Sequence, residues 1–240
     1  MSLTREPAIN APAVVLGTIA AFCAIHGIRA LLSPGQDIEV LLRFAFIPAR
    51  YGGPIEGEAP GGLAADAWTF VTYGLLHGDI THLAVNSLWL LVFGSPVGWR
   101  FGATRFLAFA AVTAAAGAAF HLPFHWGEPV PMIGASAVVS GVTAAAIRFV
   151  FANGGPLGPM RGIGVGANRM PAAPLSSVFR NRSVVAFVTI WFAVNLVFGI
   201  GSGGNIAWQA HIGGFLAGLA LFRWFDPTPR HGWIVPRESA

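Results

Sequence analysis

Charged side chains are scarce in this 240-residue chain, and lysine is absent. Asp, Glu, Lys and Arg make up only 10% of the residues, whereas 55% are hydrophobic and the mean hydropathy is +0.65. This balance excludes an ordinary soluble domain, in which about a quarter of the residues are charged. A single cysteine, Cys23, excludes an intrachain disulfide. The composition therefore predicts an all-α integral membrane protein.

Six apolar stretches approach the length of about 20 residues that crosses a bilayer. They are Pro12–Ile28, Ile80–Trp99, Ala103–Leu122, Met132–Ala152, Ser183–Ile200 and Ile206–Phe225. We therefore expect a six-helix membrane domain over residues 12–225, with tails at 1–11 and 226–240. No cleavable signal is expected, because Arg5 and Glu6 precede a span that lacks a small-residue cleavage site.

The distribution of arginine predicts the orientation of these spans. Two connections are rich in arginine: the one between spans two and three (Arg100, Arg105) and the one between spans four and five (Arg161, Arg169, Arg180, Arg182). The positive-inside rule makes both cytoplasmic, including the loop of residues 153–182, together with both chain termini. The connection of residues 33–76 is acidic and is expected outside. The pI of about 10.5 thus reflects this asymmetry, and no nucleic-acid partner is indicated.

The sequence predicts the surroundings of several aromatic and histidine side chains in the outer connections. The connection of residues 33–76 is long enough to be partly helical, and we expect Trp68 and Tyr73 to lie at headgroup depth. His121 and His125, at the connection of spans three and four, are interpreted as solvated loop histidines.

Six polar residues within the spans are singled out: His82, Asn86, Ser136, Ser140, Asn195 and His211. Such residues are expensive in lipid and are candidates for function. His82 and Asn86 are four residues apart and share one helix face, and Asp79 is a suitable N-cap for that helix. A single ligand could use the two side chains together.

Ser136 is predicted to lie below the membrane surface. Only 12 residues separate it from Arg148, or about 18 Å of helix, against a hydrocarbon core of about 30 Å. A helix that begins at Ser136 needs water above it to satisfy its first N–H groups. This geometry predicts a hydroxyl at the floor of a wet cavity, beside a positive helix end suited to developing negative charge.

His211 is the candidate base for this hydroxyl. Gly214 and Gly218 form a small face that allows close packing against the small residues around Ser136, which would bring the two side chains together. No Asp or Glu lies in a span near this site, so a dyad without a carboxylate partner is expected. Ser140 is a rival nucleophile on the same helix face, and we interpret it as a packing residue.

Four motifs in this order resemble the rhomboid family of intramembrane serine proteases. They are "HGDITHLAVN", similar to the family's H-x4-H-x3-N, then "FGSPVGWRFG", "GAS" at the start of span four, and "AHIGGFLAG", similar to A-H-x-x-G-x-x-x-G. The resemblance covers the whole six-helix core and implies a rhomboid-like bundle in the cell (inner) membrane.

The resemblance also implies the site residues. Ser136 is the nucleophile and His211 the general base, while His82, Asn86 and the Ser136 amide form the oxyanion hole. His77, Gly134, Ala137, Gly214 and Gly218 lie at or near the site. The implied substrates are transmembrane proteins that enter from the lipid beside span five, with Trp191 and Phe192 as a gate and the "GIGSGGN" loop as a cap. No cofactor and no metal are implied.

Three positions depart from the family's pattern. Ala137 stands where the family usually has glycine, so its methyl group is either absorbed or pushes span six away. Gly98 replaces a usual acidic residue, and the Trp-Arg pair of the first outer loop has no clear match in "FAFIPARY".

Two other classes of function remain open at this point. A catalytically inactive rhomboid-like protein would bind transmembrane helices without cleaving them. A bis-histidine haem protein could use the available histidines, although H-E-x-x-H and cysteine clusters are absent from the sequence and Ser136 would be unexplained. A transporter is disfavoured by the lack of paired interrupted spans and of coupling carboxylates.

Overall fold

The computed structural model describes residues 10–53, 59–152, 154–158, 165–201 and 206–228. All the regular elements in these ranges are helical. The α-helices are α1 (Ala13–Ala30), α2 (Pro34–Phe44), α3 (Gly62–Thr72), α4 (Ile80–Trp89), α5 (Ser95–Phe101), α6 (Ala103–His121), α7 (Ser136–Ala146), α8 (Leu175–Val178), α9 (Arg182–Gly201) and α10 (Trp208–Phe225). A π-helical turn, Leu90–Gly94, joins α4 to α5.

Three helical segments in the described ranges are long and apolar enough to cross a membrane: Ala13–Ala30, Ile80–Phe101 and Ala103–Phe124. Ser136–Ala146 and Arg182–Val197 are shorter apolar helices. An all-helical membrane protein is therefore confirmed. The count of six spans and the orientation of the termini stay predictions.

Helix α7 lies in the centre of the bundle, with every residue from Ala137 to Ala146 buried. The predicted fourth span, Met132–Ala152, was too long, because the helix proper covers only its middle. Before it, Met132 is extended and exchanges two backbone hydrogen bonds with Phe46, with N···O distances of 2.8 and 3.1 Å. A buried extended segment is as apolar as a helix, so hydropathy could not separate the two.

The connection before α4 contains α2 and α3, in agreement with the prediction that it is partly helical. The headgroup depth of Trp68 and Tyr73 stays a prediction, but Tyr73 is enclosed by protein. Its ring is buried, and its hydroxyl donates to the Ala114 carbonyl oxygen of α6 at 2.9 Å. Arg50, in the "FAFIPARY" segment, is also buried and donates to Asp66 at 3.0 Å. This arginine fastens the connection even though the sequence offered no clear Trp-Arg match.

Arg100 holds the opposite end of the bundle together. Its Nε and Nη2 donate to the two carboxylate oxygens of Asp226, both at 2.9 Å, and its Nη1 donates to the carbonyls of Asn168 and Met170. The acidic partner of Arg100 is therefore Asp226, although Gly98 stands where the family usually has an acidic residue. A Cβ at Gly98 would lie 3.0 Å from Pro12, so this glycine lets the start of α1 pack closely.

The interpretation of His121 as a solvated loop residue was wrong. It is the last residue of α6, is buried, and stacks on the His125 ring with centroids 4.0 Å apart. His125 in turn contacts Glu128 through Nδ1 at 2.8 Å. The burial of His121 could not be predicted, because its position at the end of a helix does not show which residues pack on it.

Candidate active site

Ser136 is the first residue of α7, as the sequence predicted, and it is partly exposed. Ala135 occupies the N-cap position and provides no side-chain hydrogen bond to the helix end. The first backbone N–H groups of a helix have no partner within it and carry partial positive charge. The hydroxyl therefore lies beside donors that can stabilise an anionic oxygen.

His82 contacts the segment that leads into Ser136. Gly134 has φ +114°, and a Cβ built on it would lie 2.5 Å from His82 Nε2. The other ring nitrogen, Nδ1, accepts a hydrogen bond from the Gly78 amide at 3.5 Å. In the neutral ring this leaves the proton on Nε2, so His82 presents an N–H donor beside the start of α7.

Helix α4 fixes the position of His82. Asp79 caps this helix and accepts a hydrogen bond from the His82 amide at 2.8 Å, which lowers the pKa of the carboxyl group. Asn86 is buried one turn further on, and its Nδ2 donates to the His82 carbonyl at 3.0 Å. The second N–H of this amide remains available for a ligand.

His77 is packed behind His82. Its ring makes an edge contact with the His82 ring, with centroids 5.2 Å apart, and lies 5.0 Å from the ring of Phe22. Burial and the neighbouring His82 lower the pKa of His77 to about 4, so the ring is neutral at pH 7.

Helices α7 and α10 approach backbone to backbone, as their small residues predicted. A Cβ at Gly214 would clash with the Ala137 carbonyl oxygen, and a Cβ at Gly218 would clash with the Gly141 carbonyl oxygen. The two pairs occur in the same order along both helices, so the helices run in the same direction. Ser136 and His211 consequently lie near the corresponding ends of adjacent helices.

The structure does not record a hydrogen bond between the Ser136 hydroxyl and the His211 imidazole among the described residues. Catalytic hydrogen bonds are often long before substrate binds. Ser140 has a different environment from Ser136: it is buried, and its hydroxyl donates to the Ser136 carbonyl at 2.7 Å. This back-bond to the preceding turn is typical of a structural serine.

The methyl group of Ala137 does not face α10. A Cβ at Gly117 of α6 would lie 2.5 Å from the Ala137 Cβ, so the methyl group occupies the space that Gly117 leaves open. Of the two outcomes considered for Ala137, the structure supports absorption of the methyl group.

The side chain of His211 has a partner that the sequence did not reveal. Its Nδ1 lies 2.5 Å from Asn195 Oδ1 on α9. Asn195 is one of the polar residues within the predicted spans, but its position in the sequence does not indicate which helix it faces. The expected dyad therefore has an amide neighbour in the position where a carboxylate is absent.

Trp191 and Phe192 are residues of α9 whose side chains face α10. Both pack on Phe215, with ring centroids 5.0 and 5.4 Å away. A cavity of about 220 Å³ lies beside them and is lined by eight residues that include Trp191, Asn195 and His211. The proposed cap falls largely on residues 202–205, which lie outside the described residues.

The described histidines, cysteine and acidic residues form no cluster of three or more that could hold a metal ion. The hydrogen-bond donors at the start of α7 are instead arranged for an oxygen anion, beside a serine and a histidine. Chemically, this arrangement suits acyl transfer.

Comparisons with known proteins agree with the motifs. A family model for the Rhomboid domain matches residues 64–225. The chain is 27% identical over 159 residues to the rhomboid protease GlpG of Photorhabdus laumondii, covering 66% of this chain and 48% of that protein. It is 26% identical over 174 residues to RHOMBOID-like protein 4 of Arabidopsis thaliana, covering 72% and 38%. The matches thus span less than half the length of these relatives.

Proposed function

Because the chain belongs to the rhomboid family, we propose that it is an intramembrane serine endopeptidase that cleaves transmembrane proteins within or near their membrane span. Ser136 is the nucleophile and His211 the general base. The observation that carries this proposal is the start of α7 at Ser136, with the His82 Nε2 beside Gly134 two residues earlier.

The reaction follows from the hydrogen-bonding capacity of these groups. Nε2 of His211 takes the proton of Ser136 Oγ, and the oxygen attacks the substrate carbonyl carbon. The carbonyl oxygen becomes an oxyanion, which the Ser136 amide, the His82 Nε2–H and the free N–H of Asn86 stabilise. His211 then gives its proton to the leaving amine, and water hydrolyses the acyl-enzyme by the same steps.

The oxyanion donors are expected to make a large contribution to the catalytic rate. Removal of a single such donor costs about 10²–10³ in turnover in other serine proteases. Asn86 is buried, and burial strengthens its bond because little water competes for this donor. This chemistry gives His82 and Asn86 a reason to stand in an otherwise apolar helix.

Substrates reach this site from the surrounding lipid in the proposed function. Trp191 and Phe192 close the space beside α9, and their displacement would open a path from the bilayer to the cavity at His211. We place the protein in the cell (inner) membrane with six spans, the loop of residues 153–182 and both termini in the cytoplasm.

Labelling with a fluorophosphonate probe tests the nucleophile without knowledge of the substrate. We expect the purified protein in mild detergent to be labelled, and labelling to vanish in Ser136→Ala and His211→Ala. Ser140→Ala is the matched control, because it removes a nearby hydroxyl that is already bonded to a carbonyl. It should keep its label.

The alternative outcomes are distinct. Labelling that persists in Ser136→Ala would reject this nucleophile. A folded wild-type protein that stays unlabelled, under conditions that label an active rhomboid protease, would favour the inactive helix-binding protein.

Reporter fusions test the orientation separately. Alkaline phosphatase fused after Glu128 should be active outside the membrane, and a fluorescent protein fused after Arg180 should fluoresce inside. The reverse pattern would overturn the topology and leave the labelling result unaffected.

A further inference from the structure

The hydrogen bonds of Asn195 determine the protonation of His211. The Asn195 Nδ2 donates to the Trp191 carbonyl oxygen at 2.7 Å, and a carbonyl can only accept. The amide oxygen must therefore be the atom that faces His211. Since that oxygen has no proton to give, Nδ1 of His211 is the donor across the 2.5 Å contact.

This assignment leaves Nε2 of the neutral imidazole without a proton. That tautomer is the one a general base needs, because Nε2 then has a free lone pair for the serine proton. In other serine proteases the group bonded to Nδ1 holds the ring in this tautomer and orientation, and an asparagine has this role in the papain-like cysteine proteases.

We propose that Asn195 is a positioning residue that holds His211 in the orientation and tautomer required for catalysis. The inference rests on the proposed function, and it replaces the expected two-residue dyad with a serine, a histidine and an asparagine. Asn195 bonds Nδ1 of His211 and not the nitrogen that takes the serine proton, so its effect is transmitted through His211.

The surroundings favour this role over one in helix packing. The N-terminal half of α9 packs into the bundle through Val184 and Phe187. The part of α9 around Asn195 exposes much of its surface, with Ile190 and Val197 each more than 60% exposed. The cavity of about 220 Å³ also separates part of α9 from α10. Asn195 crosses this loosely packed boundary with a directional bond to His211.

Two substitutions separate the bond to His211 from the bond to Trp191. Asn195→Asp keeps an acceptor for His211 Nδ1 and loses the donor to the Trp191 carbonyl. Asn195→Leu has similar size and loses both bonds, with Asn195→Ala as a second variant if the leucine prevents folding. Asn181→Leu is the control, because Asn181 bonds the Phe151 carbonyl near the start of α9 and does not contact His211.

The measurement is the rate of fluorophosphonate labelling of the full-length protein as a function of pH, with thermal melting to verify folding. We expect Asn195→Leu to lower the rate roughly 10²-fold, the loss typical of a misplaced catalytic group. Asn195→Asp should restore most of the rate. It should also move the rising limb of the profile to higher pH, because a carboxylate stabilises the imidazolium and the base is then neutral only at higher pH.

Other titratable groups near His211 are His82 on α4 and His121 on α6, and they are the same in every variant. Equal rates and equal profiles in wild type and a folded Asn195→Leu would overturn the inference while leaving the proposed function intact. Equal losses in the Leu and Asp variants would assign the effect to the Trp191 bond and also overturn it. A wild type that does not label at all is a failure of the proposed function itself.

Discussion

The Cβ of Ala137 on α7 lies against the Cα of Gly117 on α6, with no room for a side chain on the glycine. This pair explains how a methyl group is tolerated directly after the candidate nucleophile. The methyl group points toward α6, while the Ala137 backbone contacts Gly214 of α10 on another side. Gly117 and Gly214 therefore leave space for Ala137 that any larger residue would fill.

The Ala137–Gly117 contact predicts coupled effects of substitution. Gly117→Ala would place a Cβ 2.5 Å from the Ala137 Cβ and 2.9 Å from the Ala210 carbonyl oxygen. We expect it to destabilise the fold by about 1–3 kcal/mol, as overpacking does. Ala137→Gly alone should cost about 1 kcal/mol and keep the protein folded. The double variant should lose less unfolding free energy than the sum of the losses in the two single variants, as measured by unfolding in detergent. Simple additivity would show that the two sites do not interact.

Gly134 should be required for activity. Gly134→Ala forces a side chain into a residue with φ +114° and against His82 Nε2. We expect fluorophosphonate labelling to fall at least tenfold because His82 is displaced from the start of α7. Gly62→Ala is the matched control, since Gly62 also has positive φ but a Cβ there meets nothing within 4 Å. Full labelling of the Gly134 variant would remove this contact from the site.

The Arg100–Asp226 pair should be important for stability. The arginine side chain is fully buried and that of Asp226 is 10% exposed. Asp226→Asn leaves a buried guanidinium without its counter-charge, which costs about 3–5 kcal/mol in comparable cases. The exposed pair of Arg43 and Glu39 provides the control, and Glu39→Gln should cost less than about 1 kcal/mol. The measurement is the melting temperature of each variant. Equal melting temperatures would contradict a stabilising role for the buried Arg100–Asp226 pair.

His77 predicts a loss of stability in acid. Its pKa is lowered to about 4 in the folded protein from 6.5, so the unfolded chain binds a proton between these values and the folded chain does not. Stability should therefore fall as the pH decreases from about 6.5 to 4. His77→Phe keeps a ring and removes the titration, so its stability should vary less with pH over this range. An unchanged pH dependence would show that other groups dominate it.

Much of the helical pattern could be predicted from the sequence, because apolar runs and glycine faces are local. The start of α7 at Ser136 and the close packing of α7 on α10 followed from a motif and from residue size. The length of the fourth span could not be predicted, since Met132 is apolar whether it is helical or extended.

Local sequence patterns could not predict the contacts between residues that are far apart in the sequence. Asn195 and His211 lie on different helices, and so do Ala137 and Gly117. Arg100 and Asp226 are 126 positions apart. Helical periodicity says which face a residue occupies, but not which neighbour that face meets. For the same reason, the burial of Tyr73 could not be predicted, and the interpretation of His121 as a solvated residue was wrong.

The location of Asn195 on α9 has a consequence for the order of events during a turnover. In the proposed function, the residue that orients the base belongs to the same helix as Trp191 and Phe192, which a substrate arriving from the lipid would displace. If α9 moves outward, His211 loses its acceptor at the moment of entry. Acylation then has to wait until α9 returns, so a substrate that enters and leaves quickly escapes cleavage. Selection among membrane proteins would thus depend on how long each one stays, in addition to which residues it presents.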